Sequence, residues 1–500
     1  MMAARSLVII LLTTLLAPMV HAEADNTLNL GFGATLSDNP DNAPLTYAFS
    51  PAVRAAFART SDLSQYTIDQ RESVEQWVVV SPFDIGTPAT ELANSYIVDA
   101  NFADGASNFA ILQYEGKIEV AYPLVEKTVA KKWTPNDAKF GDQWHLQNTG
   151  QTGGNAGEDA NLTAAWDDYR GNGVVIGIVD DGVDWTHADL DNYYEDTLDY
   201  DYCNNDGDPS PSYYDGHGTS AAGVAAAAGN NTIGVSGAAP KAGLAGLLLI
   251  ACSTTDVRES NSLSHERQNI DIYSNSWGPS DNGRTVEAPG PLMLAAFEND
   301  VSQGRGGLGN IITWAAGNGL DDDDNSNYDG YANSRHTIAV TAVTHYGEQS
   351  WYAEPGANIL VAAPSDGSGE GITTTDIEGG GGYNGGDYND NFGGTSSATP
   401  LVSGVIALIL EANPSVTYRD VEHIIVHSSR VNDAGDNSWN TNGAGHDVSH
   451  KYGFGVIDAS AAVDLAETWV NVDPVINYQS GLIDVPDQQI PDNSAPGIVE

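Results

Sequence analysis

Hydrophobic and polar positions follow two different patterns along this chain. From about residue 134, unbroken apolar runs alternate with stretches built from small residues. "GVVIGIVDDG" (173–182), "NIDIYSNSWG", "NIITWAAGNG" and "HTIAVTAVT" are continuous enough to be strands buried on both faces. "GTSAAGVAAAAG" and "SSATPLVSGVIALILEANP" stand among them as helices. This alternation predicts a parallel α/β sheet covered by helices on both faces. Chemistry in such sheets collects at the carboxyl ends of the strands. Residues 23 to about 132 are polar and mixed, with short strand-like runs such as "QWVVV" and "KIEVAYPLV". "EGGGGYNGGDYNDNFGG" (378–394) reads as a flexible loop. The residues after about Asn471 are polar and proline-bearing, and too few to make a domain.

Length and charge sharpen this picture. Five hundred residues allow a large core and more than one domain. Residues 1–22 have the form of a signal peptide: Arg5 near the start, an apolar stretch from Leu7 to Met19, and "VHA" before Glu23. That stretch is shorter than the roughly 20 apolar residues of a spanning helix, and no other segment is expected to be long and apolar enough. The mature protein is therefore expected to be exported, secreted or periplasmic, with no membrane span. Sixty-eight acidic residues against 19 basic ones leave a formal charge of -49, which disfavours nucleic acid as a partner. It favours cations: metal ions, basic peptides, or a saline medium. Cys203 and Cys252 could pair with each other, which the sequence alone leaves open.

Candidate chemistry centres on "NFGGTSSATP". Ser396 opens a strongly apolar helix, where free backbone N–H groups favour developing negative charge. Pro400 lies close enough to that start to be tolerated. A serine nucleophile also needs a base, a carboxylate to orient the base, and oxyanion donors. "VIGIVDDGVD" puts Asp180 at a strand end, "DGHGTSAAG" puts His217 at a helix start, and "TWAAGNG" puts Asn318 at another strand end. Each alone suits a turn or a cap. Together, in the order Asp, His, Asn, Ser, they make a catalytic constellation in one of the known triad orders.

From about residue 134 to 467 the chain resembles the subtilisin-like serine proteases, specifically the kexin/furin branch of proprotein convertases. The stretches that carry the resemblance are "IVDDGVDWTHADL", "DGHGTSAAG", "SNSWGPSDNGRTVEAP", "VSQGRGGLGNIITWAAGNG" and "GGTSSATPLVSGVIALILEANP". It implies a subtilisin-like fold with Asp180 as orienting carboxylate, His217 as general base, Ser396 as nucleophile and Asn318 as oxyanion donor. It implies cleavage after basic, preferably paired, residues. Asp281 and Asp329 would line the primary pocket, Asp181 the pocket for the preceding residue, and Glu259 and Glu287 a site further upstream. Ser280 stands where some relatives carry another acid. Calcium is implied at three places. Asp201, Asp206 and Asp208 form one crowded set of hard oxygen ligands. Asp281, Asp324 and Glu354 form a second, where "DDDDN" would repel itself without a cation. Asp137, Asp189 and Asn231, with the carbonyls of Ala228, Ile233 and Val235, form a third. The implied organisation is a propeptide-like region over 23–132 acting as the chain's own inhibitor, with "AKK" before Trp133 as a junction. A catalytic domain over 133–467 follows, then the beginning of a β-rich P domain over 468–500. A broad-specificity degradative subtilisin and an inactive calcium- or peptide-binding protein are the alternatives.

Overall fold

The computed structural model describes residues 27–29, 35–37, 51–85, 87–89, 94–125 and 133–475. The signal-like residues, the "AKK" junction and the P-domain-like segment beyond 475 lie outside them. The chain divides into two compact units, Met1–Ala130 and Lys131–Glu500.

In the first unit the runs read as strands pair with each other. Gln76–Val80 lies between Ser95–Asp99 and Val120–Pro123, antiparallel to both. Helix Phe102–Tyr114 covers one face, and Trp77, Val79, Val98, Phe109 and Leu112 form the core. Gly105 is required there: a Cβ would lie 2.1 Å from the Trp77 ring.

The second unit is built on a seven-stranded parallel sheet. Its strands are β1 (Val175–Asp180), β2 (Tyr200–Asp201), β3 (Gly243–Leu248), β4 (Ile272–Asn275), β5 (Ile311–Ala315), β6 (Ile338–Val343) and β7 (Ile359–Pro364). They are arranged in the order 7-6-5-4-1-3-2, and every neighbouring pair is parallel. The apolar runs are continuous because both faces are covered. Ile176, Ile178, Ile272 and Ile311 point into one core, with helices α1 (His217–Ala226) and α4 (Thr395–Ala412). Val179, Tyr273, Ile312 and Trp314 point into the other, with α2 (Asp256–Leu263) and α3 (Pro291–Gln303). Strand order reverses at β1, so a crevice opens at the carboxyl ends of β1 and β4.

Three expectations need correction. Helix α4, 18 residues long, is by length and composition apolar enough to cross a membrane. It is a core helix, 83% buried, between the sheet and its neighbouring helices. The glycine-rich stretch is organised rather than loose. Tyr388–Phe392 forms a strand antiparallel to Ile372–Thr375, and the buried Asp376 carboxylate accepts from the N–H groups of Ile377, Tyr383 and Asn384. Pro400 sits five residues past the first residue of α4, inside the helix. Cys203 and Cys252, left open above, form a disulfide with a Cα–Cα distance of 5.9 Å.

Candidate active site

Asp180 ends β1 and is 1% exposed. A buried carboxylate needs partners, and it has two. Its Oδ1 accepts from Nδ1–H of His217 at 2.8 Å and from the N–H of Asp181, also at 2.8 Å. His217 is the first residue of α1, and its side chain keeps 24% exposure to the crevice. Asp181 grips the same helix start from the backbone side. Its carboxylate accepts from His217 N–H at 3.2 Å and Gly218 N–H at 2.7 Å. Gly218 allows this close approach, because a Cβ would lie 2.2 Å from the Gly182 carbonyl. Burial disfavours the imidazolium, but the charge and hydrogen bond of Asp180, with Asp181 behind, raise the His217 pKa to about 9. Burial, then the neighbouring Asp180, pushes Asp181 upward as well.

Ser396 is the second residue of α4, following Gly394 in the left-handed region at φ 73. Its Oγ lies 3.4 Å from the Ser276 carbonyl, just past β4. Asn318 follows β5, and its Oδ1 accepts from Thr395 N–H at 2.8 Å and from Thr395 Oγ1 at 3.0 Å. With the oxygen occupied, the Nδ2 end is the one available to an oxyanion. Asp281 Oδ2 accepts from the Asn318 backbone N–H at 2.8 Å.

The acidic residues gather on the Asn318 side. A small pocket is lined by Ser280, Asp281, Asp324, Tyr328, Asp329 and Glu354, among others. Asp329 Oδ1 is held by the N–H groups of Tyr331 and Ala332, at 2.7 and 3.2 Å. Its Oδ2 lies over Gly278, 2.8 Å from where a Cβ would stand. Burial raises Asp329 to about 7. Glu259 is 7% exposed, takes the Tyr331 hydroxyl at 2.9 Å, and is raised mainly by burial. Glu287 joins the Asp329 segment by a backbone bridge.

The three predicted ligand sets differ in what the fold does with them. Asp281, Asp324 and Glu354 surround Gly319, whose Cβ would lie within 3.0 Å of atoms from all three. Burial and the acidic neighbours raise Glu354 to about 8. Asn231 bridges the Asp137–Asp189 set, donating from Nδ2 to Asp189 at 2.7 Å while its N–H meets Asp137 at 3.1 Å. Asp201 and Asp206 are joined by a backbone bridge, and Asp201, Asp206 and Asp208 each accept from nearby turn N–H groups. Among the described residues no three His, Cys, Asp or Glu side chains close into a ready metal cage. The chemistry of the Gly319 set fits a hard cation best: its donors are carboxylate oxygens, buried at Asp324 and Glu354, and none of the three takes part in a Lys or Arg ion pair among the described residues.

Two contacts at the candidate site were not legible in the motifs. Thr395 orients Asn318, and Ser276 touches Ser396 from a strand more than a hundred residues earlier. The spacing of "SNSWG" alone gives no reason to single out its second serine.

The profile of the subtilase family, Peptidase S8, matches residues 171–455, and the chain belongs to that family. It is 40% identical to furin from Homo sapiens over 364 residues, covering 70% of this chain and 44% of furin. A PC3-like endoprotease (variant B) from Hydra vulgaris is 39% identical over 373 residues, covering 73% and 52% of the two chains. The chain thus spans about half the length of these relatives. The crystal structure of the Aeromonas sobria serine protease in complex with its chaperone superposes with a TM-score of 0.63, at 26% identity, covering 69% of each chain.

Proposed function

We propose that this chain is an exported, calcium-dependent serine endopeptidase that cuts after basic residues, preferably after pairs. The observation that carries the specificity is a wall of carboxylates, buried at Glu259, half-buried at Asp329 and Asp181, and exposed at Asp281. Asp281, Asp329, Glu259 and Asp181 have no Lys or Arg ion-pair partner among the described residues. A guanidinium or ammonium entering this wall would form charge-assisted hydrogen bonds in a partly desolvated site. Asp329 and Asp281 would hold the residue before the cut, Asp181 the one preceding it, and Glu259 and Glu287 one further upstream.

In the mechanism, His217 takes the Ser396 proton as Oγ attacks the scissile carbonyl. Asn318 Nδ2 and the Ser396 backbone N–H receive the oxyanion. His217, held in one tautomer by Asp180, then returns the proton to the departing amine. Water hydrolyses the acyl-enzyme by the same route in reverse. Calcium would be held by Asp281, Asp324 and Glu354, and would neutralise carboxylates that otherwise repel each other. The sets around Asp189 and Asp201 are further candidates. The disulfide supports an oxidising, extracytoplasmic location. The first unit is read as a propeptide and inhibitor on the strength of the sequence resemblance.

The test is hydrolysis of fluorogenic peptides ending in Lys-Arg or in apolar residues, with calcium and with chelator. The expected result is calcium-dependent cleavage of the dibasic peptide only, abolished in Ser396→Ala. Equal cleavage of apolar peptides would overturn the specificity and leave a broad degradative peptidase.

A further inference from the structure

In an α-helix each backbone N–H reaches the carbonyl four residues earlier. Pro400 has no N–H to give, and the carbonyl it would have reached is that of Ser396. The nucleophile's own peptide oxygen is thereby released from the helix at a half-buried position, where an unpaired acceptor is costly. Ser276 meets that oxygen: its Oγ donates to the Ser396 carbonyl at 3.1 Å. Ser276 is 7% exposed and directly follows β4.

A second rung of the same kind lies deeper. Ser403 Oγ donates to Ser274 Oγ at 3.0 Å and pairs with Thr313 Oγ1 at 2.8 Å. Positions 396 and 403 lie seven apart on one face of α4, and 274 and 276 lie two apart on one face of the strand segment. Two rungs therefore join α4 to β4, and the upper one ends on the nucleophile.

We propose that Ser276 is a positioning residue for the nucleophile: its hydroxyl supplies the hydrogen bond that Pro400 withholds from the Ser396 carbonyl. The proline removes the helix's own claim on that oxygen, so the direction of the first turn is set by the sheet. Since β4 also leads into the edge of the acidic pocket, the same contact registers Ser396 against the substrate-binding wall. The inference rests on the reading of Ser396 as nucleophile.

A double-mutant cycle tests it with four proteins: wild type, Ser276→Ala, Pro400→Ala and the double variant. With Pro400 present, Ser276→Ala should lower kcat on the dibasic peptide about 10-fold with little change in KM, the size expected from losing one buried hydrogen bond and the aim of Oγ. In the Pro400→Ala background the restored backbone N–H takes the Ser396 carbonyl, and the same substitution should cost less than about threefold. An equal loss in both backgrounds, or no loss in the first, overturns the proposal. Thermal unfolding of the four proteins reads the same coupling without catalysis. Non-additive Tm shifts support the bond and additive shifts overturn it, even if the wild type cleaves no peptide and the peptidase reading falls.

Discussion

Asp180 and Asp181 are neighbours in sequence, yet they hold His217 from different ends, one by the ring and one by the backbone. This has a consequence for pH dependence. On the proposed mechanism only neutral His217 can accept the Ser396 proton, and its pKa is raised to about 9. Activity should therefore rise with pH through an acid limb well above the ordinary histidine value of about 6.5. Asp181→Asn removes one negative charge near the ring while keeping an amide oxygen for the helix start. The limb of kcat/KM should then move to lower pH, and an unmoved limb would mean that Asp181 does not act on His217 electrostatically. Asp180 and His217 were legible in sequence because each sits in a short motif whose glycines and strand end announce a crowded site. Thr395 and Ser276 were not, since their roles depend on partners brought in from β5 and α4.

At the scale of elements, α1 carries the proposed base and α4 the proposed nucleophile, so on that mechanism their spacing is part of the chemistry. Gly404 sets that spacing. A Cβ there would lie 2.5 Å from Ala238 Cβ and 2.7 Å from the Ala225 carbonyl, at the end of α1. Ala is better than Gly inside a helix by about 1 kcal/mol, but overpacking against backbone costs about 1–3 kcal/mol and should win. Gly404→Ala is expected to lower both Tm and kcat. Unchanged kcat with a raised Tm would show that the helices can part freely. The organised glycine-rich stretch teaches the same lesson from the other side. Its composition suggests looseness, and only the fold reveals that Asp376 gathers its N–H groups while Tyr388–Phe392 pairs as a strand.

Across the whole molecule, 68 acidic residues face 19 basic ones, and the carboxylates around Gly319 add a concentrated share of the repulsion. Monovalent salt shortens the screening length from about 10 Å at 0.1 M to about 3 Å at 1 M. Tm should therefore climb with sodium chloride. Calcium at millimolar concentration should raise it further at matched ionic strength, and a chelator should reverse that added part. A Tm indifferent to chelator would remove calcium from the account while leaving the general screening effect. The disulfide ties the turn after β2 to the segment after β3 at the edge of the sheet.

The linear pattern by itself determined the parallel sheet, the strand and helix identities of the second unit, and the residues placed at its strand ends. Burial on both faces demands continuous apolar runs, and a run ends where the crevice begins, so Asp180 and Asn318 were marked by position as well as by type. What the tertiary structure alone decided is which groups meet. It paired the two cysteines, set Asp281, Asp324 and Glu354 around one glycine, and bridged Asp201 to Asp206. It also brought a strand-end hydroxyl to the carbonyl that a proline had left free. Contacts of this kind join residues tens to hundreds of positions apart, and spacing along a chain carries no information about distance once the chain has crossed a sheet.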